Sequence, residues 1–356
     1  MFKFAFYNKY GNFPRNINEL GDIKVNKGAL YAACVTVGLG LDINEHKVPI
    51  EVVSWKERMI DAFVDDSDTY FKLKNINYLE SSEKVTIGFF FGMIFAHAMA
   101  QSRYNIRVTA HLTDPKLITY SLKPGKKNYP DLFGIGPKNK GYLIEAKGSS
   151  SIKKGSPAKK AKEQLESIDE IEFTSNGNTI AYKYNNLTRI ISHIYPKKLN
   201  NSKKEEILFM DIIDPEPEKG DKISINADEM SLKYYFKLVD LLIYQKTEIK
   251  TLNGQRFILF DVPCHSEKLK LGLLLKIYEI YEPQVKLIKE AIKEKIEQGD
   301  EYDLAWTLTF GNNTYETVRE TLEPLEFTHL KIDHDPETGF EYSIGPDGVI
   351  AMLKPS

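Results

Sequence analysis

Hydrophobic positions change period several times along the chain, and each change marks an element. Met1 to Tyr10 alternates aromatic residues with lysines. Ala29 to Leu41 is an apolar, glycine-containing run, Lys47 to Val53 suits a strand, and Ser54 to Val64 repeats with a helical period before the acidic break Asp65 to Asp68. From residue 82 the pattern sharpens. Glu83 to Arg103 predicts one long helix with Ser81 or Ser82 as its N-cap. Ile106 to Leu112 alternates as a strand, and Lys123 to Asn128, with Pro124-Gly125, is a turn-rich loop. Asp131 to Ile135 and Tyr142 to Ala146 are short strands on either side of the polar turn Gly136 to Gly141, which predicts a hairpin. A Gly/Ser/Lys stretch from Gly148 to Ser156 follows. Pro157 then opens a helix to about Ile171, since proline suits a first helical turn, and Thr188 to Tyr195 is a further strand.

Beyond this unit, residues 196–224 are polar and contain Pro215-Glu216-Pro217, the composition of a linker. A helix over Ala227 to Gln245, a strand over Arg256 to Val262 and a long helix over Ser266 to Gln298 come next. Strands at Leu304–Phe310, Phe327–Ile332, Phe340–Ile344 and Val349–Leu353 finish the chain, the last two joined by the turn Gly345-Pro346-Asp347-Gly348. No internal repeat is present. The expected organisation is an N-terminal region (1–81) whose role the sequence does not disclose, an α/β core (82–200), a linker (201–224) and an α+β accessory domain (225–356). A length of 356 residues suits two domains.

Composition narrows the class. Hydrophobic residues at 42% and aromatics at 12% supply ample core, and 28% charged residues fit a soluble globular protein. Val85 to Ala100 is apolar except for Thr86 and His97, but it is shorter than the ~20 residues of a spanning helix and is followed at once by Gln101 and Arg103. Gly88, Gly92, Ala96 and Ala100 recur every four residues and form a small-residue stripe suited to close packing in a core. No membrane partner is expected. Cys34 and Cys264 form no zinc-ligand spacing and no disulfide framework, and Met1 to Tyr10 does not read as a signal peptide. A reducing, cytoplasmic setting is therefore expected.

Charge is distributed unevenly. The net charge of −2 excludes a uniformly basic coat. Yet Lys116 to Lys162 holds twelve lysines against only Asp131 and Glu145, a net +10, so the remainder carries −12. Such asymmetry points to a local surface for a polyanion, with Lys126, Lys127, Lys153, Lys154, Lys159 and Lys160 as candidate phosphate contacts. The bland alternative is a solvated lysine-rich loop.

The candidate chemistry lies inside that segment. Pro130-Asp131 opens one strand, and Glu145-Ala146-Lys147 closes the next, fourteen residues on. Acid-x-Lys triplets also begin at Asp22, Glu45, Asp114 and Glu248, but only Glu145 ends an apolar strand preceded by an aspartate-headed one. Side chains two apart on a strand share a face, so Glu145 and Lys147 project together and a hairpin can bring Asp131 alongside. Two carboxylates suit Mg²⁺, a hard ion that prefers oxygen, and a lysine can orient water or neutralise a pentacoordinate phosphate. Alternatively, Glu145 and Lys147 form an ordinary strand-end ion pair.

These residues resemble the PD-(D/E)xK nuclease superfamily, the restriction-endonuclease-like enzymes, over about residues 83 to 196. The resemblance implies a mixed sheet flanked by helices, with Asp131, Glu145 and the backbone carbonyl of Ala146 as metal ligands and Lys147 as the catalytic lysine. Mg²⁺ would be the cofactor, with Mn²⁺ as substitute. Some members add an acid from the first helix, where Glu83 is the only candidate. Some carry a Gln followed four residues on by Tyr in the helix after the lysine. Here Gln164 is present, but Ile168 departs from the pattern. The implied activity is phosphodiester hydrolysis, of DNA before RNA, in a restriction or phage-defence setting. Besides nucleic acid, a homodimer or a partner protein of a defence system would fit.

Other clusters carry less. His97 and Gln101 lie one helical turn apart and suit a core, while His111 and His193 lie on expected strands. Asp333-His334-Asp335 reads better as a turn before Gly339 than as a metal site. Lys123-Pro-Gly-Lys-Lys lacks the second glycine and the Ser/Thr of a P-loop. Two rival readings stay open: a nucleic-acid-binding module with a nuclease-like fold, and a structural or regulatory protein with a chance motif.

Overall fold

The computed structural model describes residues 1–38, 48–112, 118–120, 129–151, 157–183, 186–198, 206–215, 220–263, 269–298, 313–325 and 330–354. In chain order, β1 (Phe2–Tyr7), β2 (Glu19–Ile23), α1 (Lys27–Thr36), α2 (Ile50–Phe63), β3 (Val64–Asp65) and β4 (Lys72–Leu73) lead to α3 (Ser81–Tyr104). Then come β5 (Thr109–His111), β6 (Ile118–Tyr120), β7 (Leu132–Gly136), β8 (Lys140–Gly148), α4 (Ala158–Leu165), β9 (Ile168–Ser175), β10 (Asn178–Tyr182) and β11 (Leu187–Lys198). After β12 (Glu206–Ile213) and β13 (Asp221–Asn226) lies α5 (Ala227–Tyr244), then β14 (Thr247–Leu252), β15 (Gln255–Asp261), β16 (Leu269–Leu274) and α6 (Leu275–Gln298). Helix α7 (Thr314–Leu322) precedes β17 (Lys331–His334), β18 (Glu341–Ile344) and β19 (Val349–Leu353).

Among the described residues, the strands form a mixed seven-stranded sheet in the order β2-β1-β12-β11-β8-β7-β5. A four-stranded sheet (β10-β9-β13-β6), an antiparallel six-stranded sheet (β14-β15-β16-β19-β18-β17) and the ribbon β3-β4 accompany it. The fold class is thus mixed α/β, as the sequence predicts. Buried apolar residues from Phe2 to Leu353 join in one core.

The large sheet has helices on both faces. Residues paired across strands share a face. Lys147, His193, Asp211 and Ala5 therefore form one row, since each is registered with the next across β8, β11, β12 and β1. Helix α4 covers this face. Helix α3 covers the other, where Phe95 meets Phe2 edge to face at 5.4 Å between centroids. Helix α3 is long and apolar enough to cross a membrane, but most of it is buried within the protein, as a core helix. Its small-residue stripe permits very close approach: a Cβ on Gly92 would lie 2.8 Å from the nitrogen of Gly148, and one on Gly148 would lie 1.9 Å from the oxygen of Gly88.

Several expected elements differ from those observed. Lys47 to Val53, expected as a strand, gives way from Ile50 to helix α2, whose first turn follows Pro49; Lys47 itself lies outside the described residues. The long helix starts with a capping box between Glu80 and Glu83, the Glu83 carboxylate accepting from the N–H of Glu80 at 2.8 Å, in place of a serine cap. The helix after Pro157 ends at Leu165, not near Ile171. Ile168 and Ile171 mimic a helical spacing, but Ile171, Phe173 and Ser175 alternate inward as a strand. The supposed linker 201–224 contains β12 and β13. Polar flanks hide the apolar core of β12, Ile207 to Ile213, which lies between β1 and β11 in the sheet. The predicted helix at Ser266 begins only at Leu275, because Leu269–Leu274 pairs with β15 and β19. The expected strand Leu304–Phe310 lies outside the described residues, as does the start of Phe327–Ile332, whose described part begins the short strand Lys331–His334.

Candidate functional site

Strands β7 and β8 form the predicted hairpin, pairing from Gly136 with Lys140 to Leu132 with Ile144. Lys138 and Asn139 at its tip both take positive φ, 57° and 53°, the left-handed pair that matches the twist of a two-residue hairpin turn. At the other end β7 stops at Asp131. Pro130, one step earlier, has no N–H to offer the ladder. The N–H of Ala146 is met there by a side chain, the Asp131 carboxylate oxygen Oδ2, at 2.8 Å. The main chain of Asp131 continues the sheet by accepting from Leu112 N at 3.0 Å. Asp131 thus falls opposite Glu145, the next position in the hairpin register.

Glu145 is fully buried, and its Oε1 pairs with the Lys147 ammonium. Its Oε2 is buried without a hydrogen-bond donor among the described residues. Burial, and then the Asp131 carboxylate beside it, push the Glu145 carboxyl up to about 8, against the opposing pull of Lys147. Burial also raises the Asp131 carboxyl, although the Ala146 N–H and the Lys147 charge work the other way.

Lys147 lies at the open edge of the group. Its Nζ donates to Gln164 Oε1 at 3.1 Å, and Gln164 Nε2 donates to the carbonyl of Tyr129 at 3.2 Å. Gln164 therefore bridges the lysine to the segment that delivers Asp131. Helix α4 places it there by burying Ala158, Ala161 and Leu165, while Lys159 and Lys160 point outward, exposed.

The structure brings together Asp131, Glu145, Ala146, Lys147 and Gln164. It does not bring in Glu83, whose carboxylate caps its own helix. Among the described residues no third His, Cys, Asp or Glu joins the two acids as a possible metal group. Lys126, Lys127, Lys153 and Lys154 lie outside the described residues. The donor set nevertheless suits a hard divalent cation: two adjacent carboxylates, both raised by burial, and one buried oxygen without a donor. A cation there would offset their mutual repulsion.

The row beyond Lys147 leaves no trace in the sequence pattern. His193 Nε2 and Ser149 Oγ lie 3.0 Å apart, and the His193 ring stacks on Tyr195 at 4.8 Å. Asp211, next in the row, has its carboxyl pushed up to about 6 by burial and receives the Tyr7 hydroxyl at 3.5 Å. Only the register across three strands aligns these groups, and one of the three, β12, is hidden in a polar stretch of the sequence.

The remaining candidates are structural. His97 is fully buried, with Tyr234 OH at 3.1 Å and the Thr109 and Thr36 hydroxyls near its ring nitrogens, and burial holds its imidazole down at about 3. His111 Nε2 faces the Val37 carbonyl at 2.9 Å. Asp333 and His334 end β17, where a turn was expected, and Asp335 pairs with Lys250 at the turn leading to Gly339; among the described residues the three form no metal group. Cys34 is free and buried, and Cys264 lies outside the described residues. Comparison of the chain with protein-family models, with curated proteins and with solved structures found no match.

Proposed function

We propose that this protein is a metal-dependent nuclease that hydrolyses phosphodiester bonds, with DNA as its first substrate class, in a restriction or defence setting. The observation that carries the reading is the convergence of Asp131, Glu145 and Lys147 at the end of one hairpin, where the two carboxyl groups are hydrogen-bond neighbours and Glu145 Oε2 meets no N–H among the described residues. A buried acidic pair is costly to maintain and repels a phosphate backbone, so a module that only binds nucleic acid gains nothing from it. The order α3, β5, β7, β8, α4, β11 around a mixed sheet also supports a restriction-endonuclease-like core. The β9–β10 hairpin inserted before β11 is a departure from that plan.

In this reading Asp131 and Glu145, with the Ala146 carbonyl, hold Mg²⁺ or Mn²⁺. When bound, the ion supplies Lewis-acid polarisation of a phosphate oxygen and lowers the pKa of its water. The Ala146 N–H fixes the Asp131 carboxylate from behind. Lys147, aimed by Gln164, presents its ammonium to the phosphate as negative charge develops, an electrostatic contribution that needs no reorganisation during reaction. Lys159 and Lys160 on the outer side of α4 extend positive charge along the path of the backbone.

The test is single-turnover cleavage of plasmid, linear duplex, single-stranded DNA and RNA, with MgCl₂ and with EDTA. Cleavage should require the ion and fall by orders of magnitude in Glu145→Gln and Lys147→Ala. Salt-sensitive binding without cleavage of any substrate would overturn the nuclease reading in favour of a binding module.

A further inference from the structure

The face of the sheet that carries Lys147 continues along β11. Side chains two apart on a strand share a face, and residues paired across strands share it too. His193 is paired with Lys147, so His193, Tyr195 and Lys197 follow one another on the Lys147 face. Ser149 joins them just past the end of β8, where its N–H donates to the carbonyl of Ile194 at 2.9 Å. From His193 to Lys197 the line runs four strand residues, roughly 13 Å.

The groups that solvent reaches along this line suit an anion. Ser149 is half-buried, and its hydroxyl lies 3.0 Å from Nε2 of the buried His193, whose ring is fixed by stacking on Tyr195 at 4.8 Å. Lys197 is half-buried as well. Its Nζ lies 3.7 Å above the centre of the Phe209 ring, and among the described residues no carboxylate pairs with it. The partners of His193, Tyr195 and Lys197 on β12 are Asp211, Phe209 and Ile207. The one acid of the three, Asp211, is buried and held by the hydroxyls of Tyr7 and Tyr195. The accessible side of the line therefore presents a hydroxyl and an ammonium beyond Lys147, with the neighbouring acid withdrawn. Donors repeated along a strand at this spacing fit successive phosphates of one nucleic-acid strand.

We propose that Ser149 and Lys197 bind the phosphates that follow the scissile one, so that the cut strand runs from Lys147 along β11. Only the scissile phosphate in this arrangement rests on the nuclease reading; the two contacts require no more than bound nucleic acid. His193 is a positioning residue. By donating from Nε2 to Ser149 Oγ it leaves the serine O–H to donate to the phosphate. Lys198 carries the same charge one residue further on, but strand alternation sends it to the opposite face, where it takes no part.

Fluorescence anisotropy with a short DNA duplex in EDTA, and steady-state cleavage of that duplex in MgCl₂, test the assignment. Ser149→Ala and Lys197→Gln should each weaken binding roughly fivefold. Lys197→Gln should also flatten the log–log salt dependence by roughly one unit, whereas Ser149→Ala removes a neutral donor and should leave the slope unchanged. In cleavage both should raise KM with little change in kcat, the mark of a contact shared by ground and transition states. His193→Phe keeps a ring against Tyr195 and removes the Nε2 donor. It should match Ser149→Ala, and the double variant should be no worse than either single one. Lys198→Gln should bind and cut as wild type does. Ser149 and Lys197 are partly exposed, so their variants decide the matter if His193→Phe fails to fold. Wild-type binding by both Ser149→Ala and Lys197→Gln would overturn the proposal and leave the nuclease reading standing, and so would equal losses in Lys197→Gln and Lys198→Gln. Binding that the two variants weaken, without cleavage by wild type, would uphold the contacts and remove the nuclease reading. No binding by wild type would end both.

Discussion

Replacing Glu145 with glutamine keeps the shape of the side chain and removes its titration, which makes the energetic cost of the buried acid measurable. The carboxyl is raised from 4.5 to about 8 in the folded protein. Well below the lower value it is protonated in folded and unfolded chains alike and has no effect on stability. Between the two values the unfolded chain gives up its proton while the folded protein keeps it. Stability therefore falls as pH rises, with a limiting slope of about 1.4 kcal/mol per pH unit. The accumulated penalty is about 1 kcal/mol near pH 5, about 3 near pH 7 and about 4 near pH 8, levelling at about 5 above that.

Urea unfolding of wild type and Glu145→Gln in EDTA, at these three pH values, reads the difference directly. The other raised acids, Glu57, Asp211, Asp214 and Asp347, are common to both proteins and largely cancel; Asp131 is the exception, since the variant removes the carboxylate beside it. The variant should gain on the wild type by an amount that grows with pH through that window. Two stability curves that run parallel from pH 5 to 8 would refute the reasoning, because they would mean that Glu145 ionises normally. Mg²⁺ should then act in the opposite sense. It binds the ionised carboxylates, so the melting temperature of the wild type should rise with added MgCl₂, and rise more at higher pH, while that of Glu145→Gln should not move.

Three further outcomes are expected. Lys147→Ala should lower single-turnover cleavage by roughly 10²–10³ while weakening DNA binding only slightly, and Lys147→Arg should rescue it incompletely because a planar fork does not replace a compact ammonium; wild-type cleavage by Lys147→Ala would dismiss the triplet as the active site. Removing Lys159 and Lys160 together should flatten the log–log salt dependence of duplex binding by roughly one unit for each phosphate they neutralise, and an unchanged slope would mark them as merely solvated. Gly92→Ala sets a Cβ 2.8 Å from the nitrogen of Gly148 and should destabilise by about 1–3 kcal/mol, seen as a lower melting temperature, with cleavage falling as well because β8 must shift.

The site was legible in the sequence because its signals are local. Glu145 and Lys147 are two apart on one strand, and Asp131 heads the preceding strand of a short hairpin, so a two-residue period and one turn are enough to align them. Helix α3 and helix α5 were equally legible, since long apolar patterns with polar ends admit one reading. Elements whose identity depends on distant partners were not. Leu269–Leu274 is a run of leucines that could start a helix, and becomes a strand because β15 and β19 lie on either side. Glu206–Ile213 sits among polar residues and is central only because β1, from the other end of the chain, pairs beside it. Gln164 was visible as a candidate, but not its bond to the Tyr129 carbonyl, which needs the helix to end at Leu165. Ser149, His193 and Asp211 could not be joined without the register of β8, β11 and β12.

The placement of the acids follows from where the sheet stops pairing. In the middle of a sheet, each N–H of β8 would be taken by a neighbouring carbonyl, leaving no need for a side chain. At Ala146 the β7 ladder has run out at Pro130-Asp131, and a carboxylate takes the donor at 2.8 Å. That same strand end is closed from behind, where Gly88 and Gly92 of α3 allow helix backbone to rest on the backbone of Lys147 and Gly148. On the α4 face the Lys147 side chain keeps about a quarter of its surface. Glu145 points away from α3, to the α4 face beside Asp131 and Lys147, and its burial there raises its carboxyl. Any side chain larger than hydrogen at Gly92 or Gly148 would push α3 off the sheet and shift the backbone of Lys147 and Gly148, on the face opposite the Glu145 carboxyl. Gly92→Ala should accordingly lower stability without changing the pH-dependent gain of Glu145→Gln when the two changes are combined. A double-mutant cycle measured near pH 8 should be close to additive, whereas strong coupling would mean that α3, through the strand it rests on, also sets the electrostatics of Glu145.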